Sequence, residues 1–377
     1  VSGVTRRVAL SAAAPVSAAL LATAIAALVL GLSGHPPLPT FAMMIDYART
    51  PESIVSALNR AVPYFLAGLA VAVGFRMKLF NIGVEGQYQL GALSGAALGA
   101  VVHPPGALHI AFIVVIAAAV GAAWAGLAGW LKVARGVNEV ISTLMLNYIA
   151  VAIAAYLLAN HLASTAGAST GTATRPLPES ARMPSLNSLA GALGLSLPPT
   201  VALWGFLGIA LVIGAGVHYL LTRTWYGYQL RATGLNAPAA EANGIDPRRM
   251  VVITMLLSGG LAGLAGLPYL LGQSHSYGLD FPAGIGFTGI AVALLGRNRP
   301  AGIAAAALLF GLLERSAQIL DLDGIPKEIA TIMQGVIVLS VVIAYEVVKR
   351  STARQAARLV RARSADSARP AERAVAL

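Results

Sequence analysis

Long apolar runs separated by short polar connections set the pattern of this chain. Runs close to the roughly 20 residues that cross a hydrocarbon core of about 30 Å as a helix lie near 8–31, 53–74, 80–101, 108–131, 138–160, 201–221, 250–272, 284–296, 300–320 and 329–348. They predict an all-α fold, a polytopic membrane helical bundle of about ten transmembrane segments. The eighth run is short and glycine-rich, which makes it a candidate broken helix or half-span.

One connection differs from the rest. Thr222–Arg249 (TRTWYGYQLRATGLNAPAAEANGIDPRR) is a basic polar loop set between two apolar runs. Within it, Asn236 is placed to cap a short helix over 237–243, with Pro238 tolerated in the first turn and Gly244 supplying the stop. Asp246 and Pro247 then read as a fresh cap and first turn for the next apolar run. A short helix held by a basic loop against a membrane bundle suits the transmission of force from a soluble partner. Transport is the leading expectation.

Composition agrees with the pattern: 57% of residues are hydrophobic, only 11% are charged, and the mean hydropathy is +0.75, whereas a soluble domain carries about 25% charged residues. The absence of cysteine excludes disulfides, a thiol nucleophile and cysteine-ligated metal. His35, His103, His109, His161, His218 and His275 are far apart and none has ligand spacing, so no metal site and no catalytic residue is assigned.

The net charge of +11 is a topology signal first. With the N-terminus inside, the inward connections carry Arg6, Arg7, Arg76, Lys78, Lys132, Arg135, Arg223, Arg231, Arg248, Arg249, Arg297, Arg299 and the tail from Lys349. Those sites hold 20 of the 26 Lys and Arg. Arg49, Arg60, Arg175, Arg182 and Lys327 fall to outward loops and Arg315 to a span. The positive-inside bias therefore supports ten spans with both ends cytoplasmic. The first run, with Arg6 and Arg7 before it, reads as a retained helix rather than a cleaved signal peptide. Residues 1–349 are taken as the transmembrane permease domain, with 222–249 as its cytoplasmic loop, and 350–377 as a basic cytoplasmic tail. The longest outward loop, about 161–200, is Ser/Thr/Gly/Pro-rich around a Pro176–Pro184 core, and reads as a contact for an external protein or as a plain connection.

Polar side chains inside spans are costly and face a bundle interior or a cavity. Asn81 and Glu85 open the third run one helical turn apart, with Gln87 beside them. In the fifth run Glu139, Thr143 and Asn147 fall at i, i+4 and i+8. Two readings stand for both stripes: they lock the bundle by satisfying one another and nearby backbone, or they line a solute pathway. Glu314 and Arg315 read as a structural charge pair or cap. Gly91, Gly95 and Gly99, and the stretch Ser258–Gly263 with Gly266, are small-residue patterns that let membrane helices approach closely. The letters of a dinucleotide fingerprint at Gly284–Gly289 lack a preceding strand, and no P-loop sequence occurs. If ATP drives transport, another subunit binds it.

FNIGVEGQ (Phe80–Gln87), NEVISTLMLNYIA (Asn138–Ala150), RATGLNAPAAEANGI (Arg231–Ile245), SGGLAGLAG (Ser258–Gly266) and IAVALLGRNRP (Ile290–Pro300) occur in this order, and over roughly residues 50–350 the chain resembles bacterial ABC-importer permeases. The resemblance is to the nucleoside and simple-sugar members, which are branched-chain amino acid permease-like and work with basic-membrane-protein-type lipoprotein receptors. It implies a type II-like importer permease in a bacterial cytoplasmic membrane. It also implies that Asn236–Gly244 is the coupling helix docking on an ATPase subunit, with Asn236, Ala239, Ala240, Glu241 and Gly244 as docking residues. No cofactor is then expected in this chain, since ATP and Mg bind the partner ATPase. A second, related permease and an extracytoplasmic solute-binding lipoprotein complete the implied assembly. Nucleosides are the first candidate cargo. Simple sugars or branched-chain amino acids are alternatives within the class, and a self-sufficient secondary transporter is the alternative outside it.

Overall fold

The computed structural model describes residues 20–322 apart from 22, 165–171, 193, 195–196 and 199, together with 325, 331–337, 339–340 and 343. Every regular element among them is helical, and β-pairing is limited to isolated bridges such as Ser185 with Trp204. The helices are α1 (Thr23–Leu32), α2 (Pro37–Ala48), α3 (Pro51–Arg76), α4 (Val84–Gly99), α5 (Ala107–Arg135), α6 (Glu139–Leu157), α7 (Asn187–Ala192), α8 (Phe206–Arg223), α9 (Trp225–Leu235), α10 (Ala237–Ala242), α11 (Pro247–Gly263), α12 (Leu267–Tyr269), α13 (Ile285–Leu295) and α14 (Pro300–Leu322). The chain divides into a unit of Ala42–Gly324 and a second drawn from Val1–Phe41 and Ile325–Leu377. The first unit contains α3 to α14.

Six helical segments are long and apolar enough to cross a membrane, and a seventh is counted if the broken pair α1–α2 is one span. The expected ten are not reached among the described residues, for physical reasons that differ by run. α4 has 16 residues because the polypeptide turns at 81–83 before the helix begins. α13 has 11 residues and rises only about 16 Å, half the hydrocarbon thickness. More than half of the first run, half of the last, and the whole 350–377 tail lie outside the described residues.

α3 is the central helix. In its most apolar window 72% of residues are buried, against 28% for α5 and for α8, whose outer faces expose Leu108, Val115, Leu211 and Val212. Thr50 caps α3 by accepting from the Ser53 amide at 3.3 Å, with Pro51 in the first turn. Pro63 lies inside this helix, and its missing N–H frees the carbonyl one turn earlier.

The tightest contact joins α5 to α11. A Cβ at Gly263 would lie 2.1 Å from the Ala117 carbonyl oxygen, one at Gly259 2.3 Å from the Ala125 Cβ, and one at Gly121 2.3 Å from the Gly259 carbonyl oxygen. Nothing larger than glycine fits, so the two backbones meet directly, as the small-residue pattern implied. Gly91 brings α4 against the same point. Beyond α11 the span continues through α12 and a π-helical turn, Leu270–Ser274, and ends at His275 with φ 53°.

Contacts group the connections at two ends. Arg76 donates to the Asn298 carbonyl at 3.0 Å and its own carbonyl seats Gly234, so the connections after α3 and α13 and the 224–246 stretch share one end, while residues 172–183 share the other with 275–277 and with the end of α4 at Gly99. The first end carries the basic residues. At the second, residues 172–186 are stitched to their neighbours: Leu177 N–H donates to the His275 carbonyl at 2.7 Å, Met183 N–H to Leu271 at 2.8 Å, and Thr174 N–H to Tyr277 at 2.9 Å. His109, fully buried, sits at 2.9 Å from both the Ser180 hydroxyl and the Gly99 carbonyl.

Candidate functional site

The sequence stripes are buried, and their polar atoms are engaged with protein. Asn81 precedes α4 instead of sharing a helical face with Glu85, because Gly83 is the residue that caps that helix. Its amide donates to Gln87 Oε1 and to Ser258 Oγ, both at 2.9 Å, and its Oδ1 accepts from Gln87 Nε2 at 2.8 Å. Ser258 in turn donates to the Ala70 carbonyl at 2.7 Å, which ties α4, α11 and α3 together.

Glu85 points elsewhere. Its Oε1 accepts from the Gly284 amide at 2.7 Å and its Oε2 from the Gly286 amide at 2.9 Å. A carboxylate thus closes the N-terminus of the half-length α13, where its charge meets the positive end of the helix. Tyr88 Oη and Gln89 Nε2 complete its shell at 2.8 and 3.2 Å.

The fifth-run stripe keeps its helical register in α6. Glu139 pairs with Lys132 at 2.5 Å, Thr143 Oγ1 accepts from the Ile82 amide at 3.3 Å, and Asn147 bonds to Gly86 and Ile82. These bonds are those of the bundle-locking alternative.

A cavity of about 560 Å³ opens elsewhere, between α3, α14, the 200–204 connection, the broken end of the α11 span, and residues 282–285. That volume is in the range of small-molecule sites. Its walls include Asn59, Arg60, Pro63 and Tyr64 from α3, and Glu314, Arg315 and Gln318 from α14. Trp204, Tyr269, Gln273, Pro282 and Ile285 complete most of the remainder. The six polar residues of the two stripes are not among its walls, although Glu85 holds the backbone at 284 and 286 that borders it.

Charge in the cavity is arranged around one carboxylate. Arg60 donates to Glu314 Oε1 and the Tyr64 hydroxyl donates to Oε2. The Arg60 and Glu314 side chains remain 33% and 34% exposed, so the pair is open to the cavity. Asn59 fixes the 202–204 part of the wall, donating to the Ala202 carbonyl at 2.8 Å and accepting from the Trp204 amide at 3.0 Å. Arg315 does not pair with its neighbour Glu314: it donates to Gln318 and lies 4.9 Å over the Tyr47 ring.

Two sequence assignments are thereby corrected. Arg60 lies within α3, not in an outward loop, and Glu314 forms its ion pair across helices, not beside itself. Ser56, Asn59, Arg60, Pro63 and Tyr64 recur at three- and four-residue spacing, a stripe that was legible in the sequence.

At the basic end, the 222–249 stretch is mostly helix. Thr224 Oγ1 accepts from Gly227 N–H at 3.1 Å and starts α9, an element the loop reading missed. α10 forms as expected: Asn236 Oδ1 accepts from the Ala239 amide at 3.1 Å, and Gly244 ends it at φ 79°. Ala240 is buried while Asn236, Ala239, Glu241 and Gly244 are exposed. The arm is seated on the bundle, since a Cβ at Gly234 would lie 2.4 Å from the Arg76 carbonyl oxygen. Tyr226 Oη meets Thr254 of α11 at 3.1 Å.

Known proteins of similar sequence agree on a class. The chain is 35% identical over 338 residues to the guanosine ABC transporter permease protein NupP of Bacillus subtilis, covering 88% of this chain and 93% of that one. It is 32% identical to the nucleoside ABC transporter permease protein NupB of Lactococcus lactis, covering 88% and 90%. The glucose ABC transporter permease protein TsgB13 of Haloferax volcanii is 31% identical, covering 86% and 85%. Residues 53–342 match the family described as branched-chain amino acid transport system / permease component. The chain belongs to that family and is a multi-pass membrane permease, the transport subunit of an ABC importer whose ATPase is a partner protein, and not an enzyme.

Proposed function

We propose that this permease imports nucleosides across a bacterial cytoplasmic (inner) membrane, with its basic end and both termini cytoplasmic. The similarity to permeases named for guanosine and for nucleosides supports the cargo. The observation that carries the mechanism is the α9–α10 arm, which is seated on α3 and α11 yet exposes Asn236, Ala239, Glu241 and Gly244. Those residues grip the ATPase, which holds ATP and Mg, and closure of the ATPase tilts the helices under the arm.

A second related permease completes the pore, and a solute-binding lipoprotein delivers cargo to the end opposite the arm. Solute passes the wall that Glu85 supports. Asn81, Gln87, Glu139, Thr143 and Asn147 border its route through the elements they hold in place.

The test is uptake by the assembled complex in proteoliposomes with ATP inside. Tritiated guanosine should accumulate in an ATP-dependent manner, and unlabelled glucose or leucine should not compete. Accumulation of glucose with none of guanosine would favour the sugar reading that the Haloferax relative supports. Orientation is tested separately: labels at Arg76, Arg135, Arg231 and Arg297 should report the cytoplasmic side and Gly278 the outside.

A further inference from the structure

The Arg60–Tyr64–Glu314 group has an unusual balance of donors and acceptors. A carboxylate offers about four lone-pair sites on two oxygens. Arg60 occupies one site on Oε1 and the Tyr64 hydroxyl one on Oε2, so each oxygen keeps a second site. The side chain is one-third exposed, and that exposure is to the cavity.

Two acceptors on one rigid carboxylate match two adjacent hydroxyls on one ring. Arg60 and the Tyr64 hydroxyl hold the carboxylate in one place, and a carboxylate accepts stronger hydrogen bonds than a neutral oxygen does. Trp204 and Tyr269, which also line the cavity, supply flat apolar surface for the rest of a solute. The indole is itself held in position, since a Cβ at Gly272 would lie only 2.7 Å from its ring.

We propose that Glu314 is the recognition site for a vicinal diol whose two hydroxyls are gauche, and that the cavity binds solute by the ribose 2′- and 3′-hydroxyls with the base lying along Trp204 and Tyr269. This rests on the nucleoside reading above, and a sugar would present the same diol chemistry. The site then discriminates ribonucleosides from 2′-deoxyribonucleosides independently of the delivering receptor.

The experiment compares uptake of guanosine and 2′-deoxyguanosine by the assembled complex, in wild type and in Glu314→Gln, with the same receptor. Wild type should require about tenfold more 2′-deoxyguanosine for half-maximal uptake, and Glu314→Gln should bring the two nucleosides together. Membrane amount and ATPase activity in the absence of solute are measured alongside. If Glu314→Gln fails to accumulate, Glu314→Asp keeps the charge, withdraws it from the diol, and should narrow the same ratio. An unchanged ratio in the accumulating variant assigns discrimination to the receptor and overturns the proposal. Absence of any nucleoside uptake by wild type overturns the nucleoside reading instead. In that case glucose uptake lost in Glu314→Gln would retain the diol site for a sugar, and glucose uptake unchanged would remove it.

Discussion

The side-chain amide of Asn147 in α6 grips the start of α4 on two sides: its Oδ1 accepts from the Gly86 amide at 2.9 Å, and its Nδ2 donates to the Ile82 carbonyl at 2.8 Å. One residue thereby closes the gap left where the chain turns at 81–83 before the helix begins. A buried backbone group without such a partner carries its full desolvation penalty.

Asn147→Ala should therefore lower stability by about 1–3 kcal/mol for each orphaned group. Membrane amount and the thermal midpoint of the purified complex should fall together. Glu85→Ala should act in the same way, through the amides of Gly284 and Gly286. Normal accumulation combined with altered solute preference would show that these side chains touch solute directly instead of supporting the elements that border its route.

Gly263→Ala should destabilise the α5–α11 contact by about 1–3 kcal/mol, because the added methyl meets backbone that cannot yield easily. Gly260→Ala is the matched control. Its Cβ would lie 3.6 Å from the Ala118 carbonyl oxygen, an ordinary contact. Thermal unfolding in detergent should separate the two variants clearly.

Ala240→Pro should uncouple the ATPase while leaving the protein in the membrane. The Ala240 amide donates to the Asn236 carbonyl at 3.0 Å, and proline removes that donor within a six-residue helix. Receptor-stimulated ATPase activity is the readout. Wild-type stimulation in this variant would refute the coupling role of α10.

His275 should confer a pH response on the end opposite the arm. Burial, and then the positive charge of Arg182, hold its pKa below the ordinary value of 6.5. The folded protein thus favours the neutral ring more than the unfolded chain does. That contribution is fully present above the unfolded pKa and is lost as pH falls through the lower folded value. The protection factor of the Leu177 amide, which donates to the His275 carbonyl, should fall on acidification once intrinsic exchange has been divided out. In His275→Asn, which tolerates the left-handed backbone, that fall should disappear.

Much of the fold was legible because membrane helices declare themselves by local composition. The α10 cap and stop were equally local, lying within nine residues from Asn236 to Gly244. α9 was missed because its start depends on the Thr224 cap and its support on Gly234 meeting Arg76, a contact made only in three dimensions. The i, i+4, i+8 spacing correctly placed Glu139, Thr143 and Asn147 on one face, but spacing carries no information about what that face touches. Extending helix α4 back to Asn81 failed because the chain turns ahead of Gly83. The cavity was the hardest feature to foresee. Its ion pair joins residues 254 positions apart, and Glu314 beside Arg315 invited a local pairing that the helix geometry does not make.

α3 carries the Arg76 carbonyl seat of Gly234 near one end and Arg60 toward the other, about 24 Å apart along a single helix. Two binding events that act on one helix share its free energy. For the ATPase grip and the solute site proposed above, thermodynamic reciprocity fixes a relation: whatever factor an occupied cavity applies to the grip on the arm, the grip applies to the cavity's occupant. A solute that bound with equal affinity in both positions of α3 would send no signal along it, however tightly it was held.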